Sequence, residues 1–154
     1  MALEWLDKAR TATKVFCAIV CIWALVMLAT NVHLLRDTMT GVSLVALIVQ
    51  SVLIFAQLVG PRCFGAAGPL PNSLRSSLVV VLLDFLVASF LTVAGLGCVG
   101  IANQKMYNHV CFSRCWISFH YSLVVILGGV LAYIATMLNM LVACKMNLER
   151  NHQN

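Results

Sequence analysis

Leu78–Ile101 reads LVVVLLDFLVASFLTVAGLGCVGI, and as a helix its 24 residues are long enough to cross a bilayer with one carboxyl group, Asp84, inside. On insertion scales an acid at the centre of a membrane helix costs about 2.5–3.5 kcal/mol, so Asp84 has to face protein, water or a partner rather than lipid. That makes it the first candidate functional residue. Steps of three and four residues pass through Val81, Asp84, Ala88, Thr92 and Gly95. Small residues let helix backbones approach closely in a membrane, so this stripe is the expected buried seam, with Ala88, Thr92 and Gly95 as packing positions.

The rest of the chain is of the same kind. Of its 154 residues 62% are hydrophobic and only 10% charged, and the mean hydropathy is +0.96, far from the composition of a soluble domain. The reading is an all-α polytopic membrane protein whose first partner is the lipid bilayer. The net charge of +5 comes from Lys and Arg scattered between apolar blocks, which argues for topology signals and against a nucleic-acid partner.

Four spans are expected, at about 15–30, 41–59, 78–101 and 116–144. Residues 1–14, MALEWLDKARTATK, mix Trp5 and Leu6 with Glu4, Asp7, Lys8 and Arg10 and suit a short helix at the membrane surface or a frayed tail. Asn31–Thr40 breaks the apolar run and suits a tight turn between antiparallel neighbours. In the second span Ser43, Gln50 and Gln57 recur every seven residues, which puts three polar groups near one inward face. Gly60–Ser77 holds all three prolines and is a loop. In the fourth span Gly128, Ala132 and Thr136 form a second small-residue ridge, suited to pack on that of the third. Residues 145–154 are a polar tail too short to fold alone. The architecture expected is an antiparallel four-transmembrane-helix bundle.

Lys8, Arg10, Lys14, Arg62, Arg75, Lys145 and Arg150 fall on the side of the termini, and Arg36, Lys105 and Arg114 on the other. By the positive-inside rule both termini are cytoplasmic. With that orientation Asp84 stands roughly 9 Å inside the cytoplasmic end of its span, at 1.5 Å per residue. Gln57 and Asn139 fall at a similar depth, and Lys14 at the start of span one reaches the same layer by extending its stem. The expected intramembrane polar cluster is therefore Lys14, Gln57, Asp84 and Asn139, read as a lock on helix register in preference to a proton- or ion-handling site.

Cys111 and Cys115 fall on the extracytoplasmic side, where a disulfide and free thiols are both open readings. Cys63 and Cys144 lie near the cytoplasmic membrane boundary, as S-palmitoylation sites or unmodified thiols. Cys17, Cys21 and Cys98 read as small core hydrophobes. Enzyme readings find no support: there is no Cys-x-x-Cys motif, Cys17 and Cys21 being one residue too far apart. His33, His109, His120 and His152 are dispersed without a metal-ligand pattern, and no Gly-rich phosphate loop occurs. No catalytic residue, metal or cofactor is expected.

Taken together, the third span with its acid, the following loop with Cys111 and Cys115, SFHYSLVVILGGVLAYIATMLNML in span four and VMLATN at Val26–Asn31 resemble the MARVEL superfamily of four-span membrane proteins. The similarity is to fungal proteins of plasma-membrane furrow domains and non-classical export, and to the plant Casparian-strip membrane-protein-like family. It extends over essentially the whole chain. The plant family carries an arginine in span one that is thought to complement the span-three acid. Here no arginine stands inside the apolar run, Arg10 and Lys14 precede it, and Lys14 is the candidate substitute. The resemblance implies a non-enzymatic scaffold that organises a plasma-membrane subdomain or supports trafficking, as a homo-oligomer or with other membrane proteins. The alternative is a small transporter or proton channel using Asp84.

Overall fold

The computed structural model describes residues 2–64, 74–108 and 113–153, with the side chains of residues 3, 60–64 and 74–77 excepted. Four long helices account for nearly all of them: α1 (Ala2–Thr30), α2 (Thr38–Phe64), α3 (Leu74–Tyr107) and α4 (Ser113–Gln153). All four are long and apolar enough to cross a membrane. The chain is an all-α, four-span integral membrane protein.

Helix α1 absorbs the segment expected to lie on the membrane surface. Nothing between Ala2 and Thr30 breaks a helix, since the stretch has neither Gly nor Pro. Its charged residues support one another at helical spacing: Lys8 Nζ lies 2.9 Å from Glu4 Oε1, and Arg10 pairs with Asp7. Residues 2–14, expected as a surface helix or a frayed tail, are continuous with the first span in one helix. Residues 145–153 likewise continue α4, and all four helices extend past the expected span limits.

The α1–α2 connection is short because Asn31 ends α1 locally. Its side-chain amide and its backbone N–H both reach the Met27 carbonyl at 3.0 Å. A 3₁₀ turn, Val32–Arg36, follows. Asp37 is then extended (φ −85°, ψ 130°), and its carbonyl accepts the Gly41 N–H at 3.2 Å, which opens α2.

Around the bundle the order is α1, α2, α3, α4. Helix α4 packs most extensively on α3 and then on α1, and the α1–α2 seam is the loosest. Cys17, Cys21, Leu47, Leu91, Tyr121 and Val125 are completely buried. Phe16, Trp23, Phe55, Phe90 and Val93 each expose more than 60% of their surface. In water that would be an aggregation hazard; toward lipid tails it is the expected outer face.

Glycines bring the backbones of α3 and α4 close together. A Cβ on Gly95 would sit 3.2 Å from the Ile126 backbone N, and one on Gly129 would sit 3.2 Å from both Cα and N of Thr92. Thr92 and Gly95 of the α3 stripe therefore meet α4, Thr92 at Gly129 rather than Gly128, and Ala88 is completely buried. Gly128 faces inward instead, and a Cβ there would meet Leu91, Val20 and the Cys21 sulfur in ordinary van der Waals contact. Ala132 and Thr136 are both buried.

Candidate functional site

Asp84 is only 6% exposed. Helix α2 runs antiparallel to α3, and Gln57 brings its amide nitrogen to 2.8 Å from Asp84 Oδ1 and 2.9 Å from Oδ2. Asn139, from α4, donates to Oδ2 at 3.3 Å. Two carboxamides on two helices thus converge on one carboxyl group. A carboxylate only accepts hydrogen bonds, so the amide nitrogens have to be the groups that face it.

Lys14 is also buried, at 8% exposure, and lies within electrostatic reach of Asp84. Among the described residues, however, the two form no ion pair. The register of α1 explains this. Cys17 Sγ reaches the Gly128 carbonyl at 3.5 Å, and Gly129 abuts Thr92, so Cys17 and Thr92 stand at nearly one level. Lys14 is about 5 Å from that level toward the termini and Asp84 about 12 Å, at 1.5 Å per residue. Lys14 therefore starts some 7 Å nearer the middle of the bundle than Asp84 does. It does not enter from the membrane boundary, as the sequence suggested. Side chains lean toward the N-terminus of their helix, which aims the lysine stem back toward the acid.

The seven-residue repeat of α2 sets two further polar levels, each about 10 Å along the helix. Gln50 is 4% exposed and sits at the level of Cys17, Leu91 and Gly128, with its Oε1 buried and lacking a hydrogen-bond partner. Ser43 is completely buried, and its hydroxyl lies 2.6 Å from Tyr121 Oη and donates to the Thr40 carbonyl at 2.7 Å. Fully buried Leu47, Leu91 and Val125, together with Ile54, fill the space between the levels. Tyr121→Phe should cost about 1 kcal/mol, the usual scale of a hydrogen bond inside a membrane protein, read by equilibrium unfolding in mixed micelles. A loss below a few tenths would mean that the Ser43 hydroxyl is satisfied by Thr40 alone.

Two polar contacts lie beyond what the sequence suggested. Ser89 Oγ and Tyr133 Oη are 2.6 Å apart on the α3–α4 seam, where Phe85 meets the Tyr133 ring edge-on with centroids 5.5 Å apart. At the end of the bundle opposite the termini, Lys105 Nζ bonds both carboxylate oxygens of Asp37 at 2.8 and 2.9 Å. The signal for that pair was available: Asp37 is the one acid in either connection on that side, where all three cations of that side also stand.

Cys115 is disulfide-bonded. Cys111, the candidate partner offered by the sequence, lies outside the described residues, and the Cys63 side chain does too. Cys144 is an exposed free thiol on α4, and Cys17, Cys21 and Cys98 are buried free thiols. No group of three or more His, Cys, Asp or Glu able to hold a metal ion occurs among the described residues. Comparison with family models, characterised proteins and solved structures finds no match to this chain.

Proposed function

We propose that this protein is a non-enzymatic membrane scaffold, oriented with both termini in the cytoplasm, that organises a subdomain of the plasma membrane through lateral assembly. The observation that carries the reading is the way Asp84 is spent. Its carboxyl group is taken up by Gln57 and Asn139, and apart from Gln50 the space between it and the Ser43–Tyr121 pair is filled by apolar side chains. A group that binds and releases ions needs an aqueous route and a free face; one that holds three helices in register needs the contacts Asp84 makes. The likeness to the MARVEL superfamily supports the same reading, as does an outer surface made of lipid-compatible side chains.

A fluorescently tagged copy should gather in patches rather than spread evenly, and the protein extracted in mild detergent should migrate as an oligomer. Even spreading together with a monomeric native mass would count decisively against a scaffold. The second reading, a small transporter, is favoured by one observation: Gln50 carries an unpartnered carbonyl at the centre of the bundle. Ion or proton flux in proteoliposomes that vanishes on Asp84→Asn would establish it.

A further inference from the structure

At the end of the bundle opposite the termini, the 3₁₀ turn, the end of α3 and the start of α4 enclose a recess of about 140 Å³ lined by His33, Arg36, Asp37, Lys105, Arg114 and Ser118. We propose that this recess binds a phosphate-type oxyanion, borne by a lipid headgroup or free in solution.

Charge points that way. Arg36, Lys105 and Arg114 bring three cations to one wall, and Asp37 answers only one of them through its bond to Lys105. Among the described residues Arg36 and Arg114 have no acidic partner, so two positive charges face a small concavity uncompensated. His33 and Ser118 complete the lining, an imidazole and a hydroxyl that can donate hydrogen bonds to an oxyanion. Ser113 begins α4, so the backbone N–H groups of its first turn, unpaired within the helix, lie at the same wall and add a partial positive charge.

Size and depth agree with an anion at the membrane boundary. The recess has the volume of four or five waters, enough for a tetrahedral oxyanion with part of its hydration. Exposed Trp116 and Tyr107 flank the same level, and such aromatic residues gather at the headgroup layer. Arginine offers forked donors to phosphate, which a lysine does not.

The test uses the full chain in phosphatidylcholine nanodiscs. One arm titrates inorganic phosphate calorimetrically. The other adds phosphatidylglycerol to the discs and counts retained lipid by native mass spectrometry. Saturable phosphate binding identifies a free-anion site, and retention of phosphatidylglycerol without phosphate binding identifies a headgroup site. In whichever arm binds, Arg36→Gln with Arg114→Gln should weaken binding about tenfold, and Arg114→Gln alone serves if the double variant is poorly folded. Asp37→Asn should act in the opposite sense and tighten binding about threefold, a gain that damage to the fold does not produce. Absence of binding in both arms overturns the proposal, and so does binding that ignores all of these substitutions.

Discussion

Gln57→Leu should destabilise the bundle by about 3 kcal/mol, the expected scale for leaving a buried polar or charged group without its main partner in a membrane interior. The substitution adds hydrophobicity, so a simple hydropathy argument gives the opposite sign. What decides is Asp84, which loses both of its shortest hydrogen bonds and keeps only Asn139 at 3.3 Å. Lys14 stands in its field but out of direct contact and replaces neither bond. In a double-mutant cycle with Asp84→Asn, the two losses should fall short of additivity by about 1–2 kcal/mol, because both remove the same contacts. Unfolding in mixed micelles reads the cycle. Strict additivity would mean that the amide and the carboxyl group act in separate environments.

A comparable loss, about 2–3 kcal/mol, is expected from a single methyl group in Gly129→Ala. The new Cβ would stand 3.2 Å from both Cα and N of Thr92 and closer still to its hydroxyl. Backbone atoms cannot rotate away, so α3 and α4 have to separate along the most extensive seam of the protein. Gly100→Ala is the matched control: a Cβ there meets nothing within 4 Å. Alanine also favours the helix over glycine, by up to about 1 kcal/mol, so this variant should be neutral or more stable. If the two alanine variants behave alike, close packing at Gly129 does not hold the seam.

Much of this architecture is legible in the sequence because membrane spans announce themselves by length and apolarity. Counting residues from the span ends brought Asp84, Gln57 and Asn139 to one depth, and the structure joins them by hydrogen bonds. The change of composition at Val15 puts Lys14 at the membrane boundary. Composition is a weak guide there, since the helix continues unbroken from Ala2 and only the packing of Cys17 on Gly128 fixes its height. Gly128 and Gly129 are neighbours, and a period of 3.6 residues cannot say which faces α3 and which faces inward. The hydroxyl pairs Ser43–Tyr121 and Ser89–Tyr133 depend on how each helix is rotated about its axis, a quantity set by packing across the whole bundle. The Asp37–Lys105 pair joins the α1–α2 connection to the last turn of α3, 68 positions apart, with no local pattern to link them.

The seven-residue spacing of Ser43, Gln50 and Gln57 makes α2 a ruler with evenly marked divisions, and such a ruler has an ambiguity. Slid by one division toward the termini, it would offer Gln50 to Asp84 as readily as it now offers Gln57, and the acid alone could not detect the error. The far end of the helix removes the degeneracy. In the slid position Tyr121 would face no hydroxyl, and Asp37 would be drawn about 10 Å from Lys105. The acid in α3 thus sets which face of α2 turns inward, while a serine, a tyrosine and one ion pair set which notch it stops at.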